Sequence, residues 1–139
     1  MKEIKPAKSE RFTIPLAPVT KKNSQKIIWN KAKGRPMIVP SDKYKEYEHA
    51  CAWFMPHCKT IKEPVNVRAL FYMPTRRRVD LVNLEEALLD VLVRYCVIDD
   101  DNAEIVAAMD GSRVLYDKAN PRTEVIIEYL AEGEEDEQS

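Results

Sequence analysis

Short stretches rich in apolar residues, several of them bounded by proline, glycine or asparagine, predict seven strands in this chain. The clearest is the stretch 64–73, in which one face is apolar throughout and consists of Val65, Val67, Ala69 and Phe71. A single apolar face is typical of a sheet that helices cover on one side. The predicted strands are residues 11–16, 26–30, 35–39, 64–73, 103–109, 113–117 and 122–130, and turn-forming pairs at residues 33–34, 110–111 and 120–121 separate several of them.

Two other stretches have the spacing of three and four residues that marks one face of a helix. In the first, Ser41 supplies an N-cap and Pro56 ends an apolar stripe made of Tyr44, Tyr47, Cys51 and Phe54. The second helix is predicted over residues 80–95, with a main stripe made of Leu81, Leu84, Leu88, Leu92 and Tyr95. A second stripe on another side of this helix consists of Val82, Leu89 and Val93. A helix that is apolar on two sides is either central in the fold or part of a subunit contact.

The order of these elements is β-β-β-α-β-α-β-β-β, which predicts an α+β fold. We expect two layers, with two main helices packed on a small mixed sheet. The chain of 139 residues has about the length of one domain. We expect that domain to span residues 1–130 and an acidic, disordered tail to occupy residues 131–139.

The composition excludes several classes of function. Three glycines are too few for a glycine-rich phosphate loop or a dinucleotide fingerprint, and two histidines without a G-x-S-x-G motif argue against a histidine-dependent hydrolase. Hydrophobic residues make up 45% of the chain, but no apolar run approaches the roughly 18 residues that span a bilayer. We therefore expect a soluble, cytoplasmic protein with no membrane partner.

The cysteines are expected to be reduced thiols, since their number is odd and no secretory signature accompanies them. A zinc site built from His49, Cys51, His57 and Cys58 is not expected. His49 and Cys51 are two residues apart on a predicted helix, so their side chains point to roughly opposite sides.

The formal net charge of −1 hides an uneven distribution of charge. The tail holds five acids and no base, which leaves 22 bases against 18 acids in residues 1–130. Residues 20–36 hold six bases and no acid, and Arg76, Arg77 and Arg78 form a second basic cluster. Such clusters attract polyanions such as nucleic acid, although a single cluster is more often an ordinary solvated surface.

The stretch with the most chemical information begins after these arginines. On the second helix Asn83, Glu86 and Asp90 share a face away from the leucine stripe, and Asp80 lies near the border of that face. A short connection after the helix contains three adjacent aspartates, Asp99, Asp100 and Asp101. Carboxylates that converge beside cationic side chains suit Mg²⁺ and the phosphodiester backbone of a nucleic acid. This combination indicates metal-dependent cleavage of nucleic acid.

Each acid also has an ordinary structural interpretation. Asp80 suits a helix N-cap, and Asp90 suits a solvated helix surface. Residues 99–101 suit a turn whose side chains bond their own backbone. Only the joint occurrence of these acids with two basic clusters favours a catalytic interpretation.

The segment R-R-R-V-D-L-V-N-L, with I-D-D-D-N downstream, resembles the RusA-type Holliday-junction resolvases, particularly those of phages and prophages. The resemblance covers roughly residues 11–130 and includes Pro15, Pro18, Asn23 and the closing segment Y-D-K-A-N-P-R-T-E-V. It implies a homodimeric, Mg²⁺-dependent endonuclease with an α+β subunit that cuts four-way DNA junctions symmetrically. It also implies a role in DNA recombination and repair.

Carried over by this resemblance, the first family carboxylate falls on Asp80, the asparagine on Asn83 and the aspartate within the helix on Asp90. The late acidic pair falls on Asp100 and Asp101, or on Asp99 and Asp100 after a shift of one residue.

Two positions depart from the family pattern. The family sequence D-L-D-N reads Asp80-Leu81-Val82-Asn83 here, so valine replaces a metal-binding carboxylate, and the helical lysine of the family is Glu86. Because residues four apart share a helical face, we hypothesise that Glu86 replaces the missing carboxylate. Lys22 or Lys26 would then replace the missing lysine.

We therefore predict that Mg²⁺, or Mn²⁺ in its place, is bound by Asp80, Asp100 and Asp101, with Glu86 completing the catalytic group. The predicted supporting residues are Asn83, Asp90 and Asp99. The predicted DNA-binding residues are Lys21, Lys22, Asn23, Lys26, Arg76, Arg77 and Arg78. The stripe of Val82, Leu89 and Val93 is the predicted dimer contact, because a symmetric junction calls for two active sites related by a two-fold axis.

Two alternatives belong to other classes of protein. The first is a catalytically inactive protein of the same fold that binds DNA junctions. The second is a structural or regulatory α+β protein whose charges are ordinary surface, and it predicts no affinity for junctions.

Overall fold

The computed structural model describes residues 8–21, 25–40 and 42–130, with the backbone alone for residues 25, 26 and 40. Ser41, Lys22, Asn23 and the tail therefore lie outside the described residues, as does the side chain of Lys26. The elements in chain order are β1 (Ser9–Ile14), β2 (Gln25–Asn30), β3 (Arg35–Pro40), α1 (Asp42–Cys51), a 3₁₀ turn (Ala52–Phe54), β4 (Val65–Met73), α2 (Leu81–Arg94), β5 (Val106–Ala108), β6 (Arg113–Tyr116) and β7 (Arg122–Tyr129).

Within the described residues, seven strands and two α-helices in this order confirm the predicted α+β class. The main sheet has five strands and is mixed. Its order is β1-β7-β4-β5, and β6 also pairs with β4. β7 is antiparallel to β1 and β4, whereas β5 and β6 run parallel to successive parts of β4, beside Val65 and from Leu70 to Met73. β2 and β3 form a separate two-stranded sheet.

The core lies between the sheet and both helices. The predicted apolar face of β4 is confirmed, since Val65, Val67 and Ala69 have no exposed surface and Phe71 has 2%. These residues belong to one apolar cluster with Cys51 of α1 and with the buried face of α2, formed by Leu84, Leu88, Val91 and Leu92. Both helices therefore cover the same face of β4.

The second stripe of α2 is not uniform. Leu89 and Val93 are partly buried against the core of the same chain, whereas Val82 is 68% exposed. The prediction that the three residues form a dimer contact stays a prediction, and Val82 is the one of the three that the described residues leave exposed.

Two strands differ from the predicted bounds by more than one residue at an end. β1 ends at Ile14 rather than at residue 16, because Pro15 has no N–H to donate to a strand ladder. The stretch 103–109 narrows to Val106–Ala108, because the carbonyl of Asn102 accepts hydrogen bonds from the N–H groups of Ile105 (3.1 Å) and Val106 (2.8 Å). These bonds close a turn where the apolar pattern predicts strand.

The end of α2 determines where the following acids lie. Cys96 adopts the left-handed conformation (φ 58°), and the N–H of Val97 bonds the carbonyl of Leu92 at 2.8 Å. The chain then turns toward the start of β4, where Ile98 forms a parallel bridge with Ile61. Among the described residues, no helix has the length and apolar character needed to cross a membrane.

Candidate functional site

Asp80 occupies the N-cap position of α2 but does not act as a side-chain cap. Its backbone is extended, and its carbonyl accepts the N–H groups of Asn83 (3.1 Å) and Leu84 (3.2 Å). Its carboxylate instead accepts a hydrogen bond of 3.3 Å from the side-chain amide of Asn83. Asp80 is exposed, so this carboxylate faces solvent at the start of the helix.

Lys21 reaches the same face of α2 from the segment after β1. Its ammonium lies 2.5 Å from the carboxylate of Asp90 and 5.7 Å from the centre of the Tyr44 ring. Lys21, Asn83, Glu86 and Ala87 line a small cleft of about 10 Å³. The predicted face of Asn83, Glu86 and Asp90 is thus present, and among the described residues Lys21 brings a cation to it.

The phenol of Tyr44 lies beneath this cation. Burial raises the pKa of Tyr44, and the nearby charges of Glu48 and Asp90 raise it further. The phenol therefore remains protonated, and the ammonium of Lys21 lies over the face of its ring.

Arg76, Arg77 and Arg78 lie in the connection between β4 and α2, and all three are exposed. The guanidinium of Arg76 stacks on the ring of Tyr116 at 4.2 Å. None of these arginines forms an ion pair with a carboxylate of the described residues. Three guanidinium groups are thus presented to solvent immediately before Asp80.

The acidic turn, which we define as residues 99–102, has its own hydrogen bonds. The two carboxylate oxygens of Asp100 accept the N–H of Asp101 (2.8 Å) and the side-chain amide of Asn102 (2.9 Å). Asn102 in turn accepts the N–H of Glu104 at 2.9 Å. Asp99, Asp100 and Asp101 are nevertheless exposed, so their side chains face solvent although Asp100 also bonds within the turn.

Within one chain, Asp80 and the acidic turn lie at opposite ends of α2. The N–H of Ile98 lies 3.4 Å from the carbonyl of Leu92, and the N–H of Asp99 bonds the carbonyl of Ile61. Leu92 is twelve residues beyond Asp80 in one helix, which separates the two by about 18 Å along the axis. Two aspartate side chains cannot bridge that distance to share one ion.

A larger cavity of about 540 Å³ lies near the carboxyl ends of β4 and β6. Its wall includes Arg122, which pairs with Asp117 (2.9 Å) and Glu124 (2.7 Å) and stacks on Tyr72 at 3.8 Å. Hydrogen bonds from Arg122, and then from the N–H groups of Asn120 and Ala119, hold the pKa of Asp117 below its ordinary value.

No role was predicted for these residues from the sequence, nor was the contact of Arg76 with the Tyr116 ring. The signal was the closing segment Y-D-K-A-N-P-R, which places aromatic, acidic and basic residues within seven positions.

An α+β domain with carboxylate and amide groups at a helix start, beside three exposed arginines, has the make-up of a protein that handles nucleic-acid phosphates. Residues 15–128 match the family model of the endodeoxyribonuclease RusA, and the chain therefore belongs to the RusA endodeoxyribonuclease family. This finding confirms the resemblance seen in the sequence, and family membership implies endonuclease activity that resolves Holliday junctions. A comparison with curated proteins finds no match to this chain.

Nucleases of this family generally depend on a divalent metal ion. Among residues 8–21, 25–40 and 42–130, no three His, Cys, Asp or Glu side chains are grouped so that they could hold a metal ion. The carboxylate of Asp80 is also remote from Asp100 and Asp101. The described part of a single chain therefore does not fit such an ion.

Proposed function

We propose that this protein is an endonuclease that hydrolyses phosphodiester bonds of branched DNA in the cytoplasm, with Mg²⁺ or Mn²⁺ as cofactor, in recombination and repair. The observation that carries the proposal is the hydrogen bond between Asp80, which is exposed, and Asn83, which is half-buried, directly after three exposed arginines. This arrangement puts acids and phosphate-binding cations side by side on a chain whose family consists of endodeoxyribonucleases.

The cationic side chains have separate roles in this proposal. Arg76, Arg77 and Arg78 bind phosphates, and the Tyr116 ring keeps Arg76 extended toward the DNA. Lys21 orients the acids of α2 through Asp90 and contributes less to the DNA, because its charge is already partly neutralised. The DNA-binding roles of Lys22, Asn23 and Lys26 stay predictions.

A homodimer would bring the separated acids together. A two-fold axis across the middle of α2 reverses the direction of the helix, so that Asp80 of one copy meets the acidic turn of the other. Val82, which is 68% exposed in the first turn of α2, would lie in that contact. We propose that Asp80 of one copy and Asp100 and Asp101 of the other bind the ion. Glu86 and Asn83 support Asp80, and Asp90 and Asp99 lie outside the set of ligands.

A second candidate function is supported by one observation. Val82 stands in the first turn of α2 where the family pattern has a carboxylate, and its side chain faces solvent rather than the core. The side chain at this position thus faces solvent as a metal-binding carboxylate would, but this chain has valine there. The corresponding candidate is a protein that binds DNA junctions without cutting them.

Incubation of a labelled four-way junction with the protein across concentrations of Mg²⁺ and Mn²⁺ separates the two functions. We expect paired nicks on opposing strands in the presence of metal, and their loss in Asp80→Asn with junction binding retained. Shifted bands without nicks at every metal concentration would identify the inactive binder. No shift at all would contradict both functions.

Mixing two inactive variants tests whether the site is shared between copies. Asp80→Asn and the double variant Asp100→Asn, Asp101→Asn are each expected to be inactive. In a mixed dimer, one site combines all substitutions and the other combines none. Random exchange in an equal mixture makes about half of the dimers mixed, so about a quarter of all sites should be intact. Because each mixed dimer has one intact site, the recovered activity should appear as unpaired nicks. If each site belonged to one chain, no mixture would recover activity.

A further inference from the structure

The β2–β3 hairpin stands apart from the main sheet. Its strands pair only with each other among the described strands, from Gln25 opposite Pro40 to Asn30 opposite Arg35. Two-stranded hairpins without further support are marginally stable in water. Nothing in the resemblance or in the predicted site gives this hairpin a role beyond that of Lys26.

One face of the hairpin is apolar and exposed. Ile27, Trp29 and Ile38 are 72%, 62% and 66% exposed, and Ile27 and Ile38 are direct partners across the two strands. Trp29 lies opposite Pro36, which is also exposed, so four apolar side chains share this face. An apolar face of this kind marks a surface that another molecule covers.

The tip of the hairpin carries positive charge. Asn30 holds the turn through hydrogen bonds from the N–H of Lys33 to its side chain (2.9 Å) and from the N–H of Gly34 to its carbonyl (2.8 Å). Gly34 adopts the left-handed conformation (φ 63°) that this turn requires. The basic residues Lys31, Lys33 and Arg35 are exposed in and beside this turn, close to Trp29 along the hairpin.

The charge of the hairpin indicates what covers it. Residues 25–40 contain four bases, Lys26, Lys31, Lys33 and Arg35, and no acid. A second copy of the hairpin would place these like charges against each other, which is unfavourable. A nucleic acid offers phosphates to the lysine and arginine side chains, and flat nucleobases on which Trp29 can stack.

We propose that the hairpin is a DNA-binding arm whose apolar face stacks against unstacked nucleobases at the branch point, with Trp29 as the stacking residue. The proposal rests on the function proposed above and deepens it. Inserting an apolar side chain costs the unstacking of a base step, and this cost is lowest where pairing is already interrupted. The arm would therefore favour branched DNA over duplex, while Lys31, Lys33 and Arg35 hold the flanking phosphates without regard to structure.

The two tryptophans of the chain provide a matched pair of variants. Trp29 is 62% exposed on the hairpin, and Trp53 is 86% exposed on the 3₁₀ turn after α1. Because base stacking on an aromatic side chain is substantial, Trp29→Ala should weaken binding to a four-way junction about tenfold. Its affinity for a linear duplex of the same sequences should be unchanged, and Trp53→Ala should bind both DNAs as the parent does.

Fluorescence of Trp29 in the Trp53→Phe background gives a second readout that needs no loss of binding. Stacking predicts quenching by a four-way junction, with saturation at the binding stoichiometry, and no quenching by the duplex. Junction binding by the parent with neither a Trp29→Ala effect nor quenching would overturn the stacking role and leave the proposed function intact. Equal quenching by both DNAs would also overturn it.

Two further outcomes would overturn the proposal. If Trp29→Ala changed the oligomeric state in sedimentation and not the affinity for junctions, the face would be a protein contact. If the parent bound no branched DNA, the stacking role and the proposed function would fail together.

Discussion

The ammonium of Lys21 and the carboxylate of Asp90 lie 2.5 Å apart, and their side chains are 39% and 30% exposed. This ion pair joins the segment after β1 to the middle of α2 and closes one side of the cleft of Asn83 and Glu86. Two segments that are nearly seventy residues apart in the sequence are thereby joined at the surface where the acids of α2 lie.

A double-mutant cycle of Lys21→Met and Asp90→Asn measures this pair. Partly exposed ion pairs contribute little to stability, so we expect a coupling energy of about 0.5 kcal/mol in urea unfolding, decreasing with salt. A coupling of about 2 kcal/mol or more, unaffected by salt, would show that the pair is far better shielded than its exposure indicates.

Glu86→Ala tests whether Glu86 replaces the missing carboxylate. Loss of a group that supports a metal ligand typically lowers activity about 10–100-fold. We therefore expect metal-dependent junction cleavage by Glu86→Ala to fall by about that factor. Junction affinity should stay the same or rise, because a negative charge is removed near the phosphates. Glu85→Ala is the matched control: Glu85 precedes Glu86 on α2, is half-buried, and its pKa is raised by burial. Cleavage by Glu86→Ala at the parental rate would contradict the hypothesis.

Val82→Asp restores the carboxylate of the family pattern. Val82 is 68% exposed, and an acid in the first turn interacts favourably with the helix dipole, so the free energy of unfolding should change by less than about 0.5 kcal/mol. We expect metal-dependent cleavage to increase by about tenfold or more, measured as the initial rate of nicking. In Val82→Asn the asparagine has the shape of aspartate without its charge, so the cleavage rate should not rise. An equal response of both variants would exclude a ligand role at this position.

The cysteines should differ in reactivity. Cys51 has no exposed surface, and burial raises its thiol pKa from 9.0 to about 11, whereas Cys96 is exposed. At pH 8 iodoacetamide should label Cys96 in the folded protein and Cys51 only after unfolding, as peptide mass spectrometry would show. The unfolded Cys51 thiol ionises at lower pH than the folded one, so its contribution to stability is complete below pH 9 and is lost as the pH rises toward 11. Labelling of both thiols at equal rates would contradict the packing of α1.

Much of the fold was predictable because it follows from local patterns. The alternation of Val65 and Val67 identifies a half-buried strand, and the spacing of Leu84 and Leu88 identifies a helix face, whatever lies opposite them. Where the predicted bounds of a strand were wrong, backbone hydrogen bonding determined where the strand begins or ends. Pro15 cannot donate one, and Asn102 accepts two that close a turn.

The candidate site was predictable only in part. The sequence alone determined that Asp80, Asn83 and Asp90 lie along one helix with basic clusters nearby, because helical spacing depends on nothing else. Which acids come within reach of one another was decided by tertiary structure. Leu92 lies twelve positions after Asp80 in one rigid helix, which separates them by about 18 Å along its axis. The connection after the helix bonds to Ile61 and does not fold back toward Asp80. The choice of Lys21 as the partner of Asp90, and the separation of the β2–β3 hairpin from the main sheet, likewise depend on packing between distant segments, which no local pattern encodes.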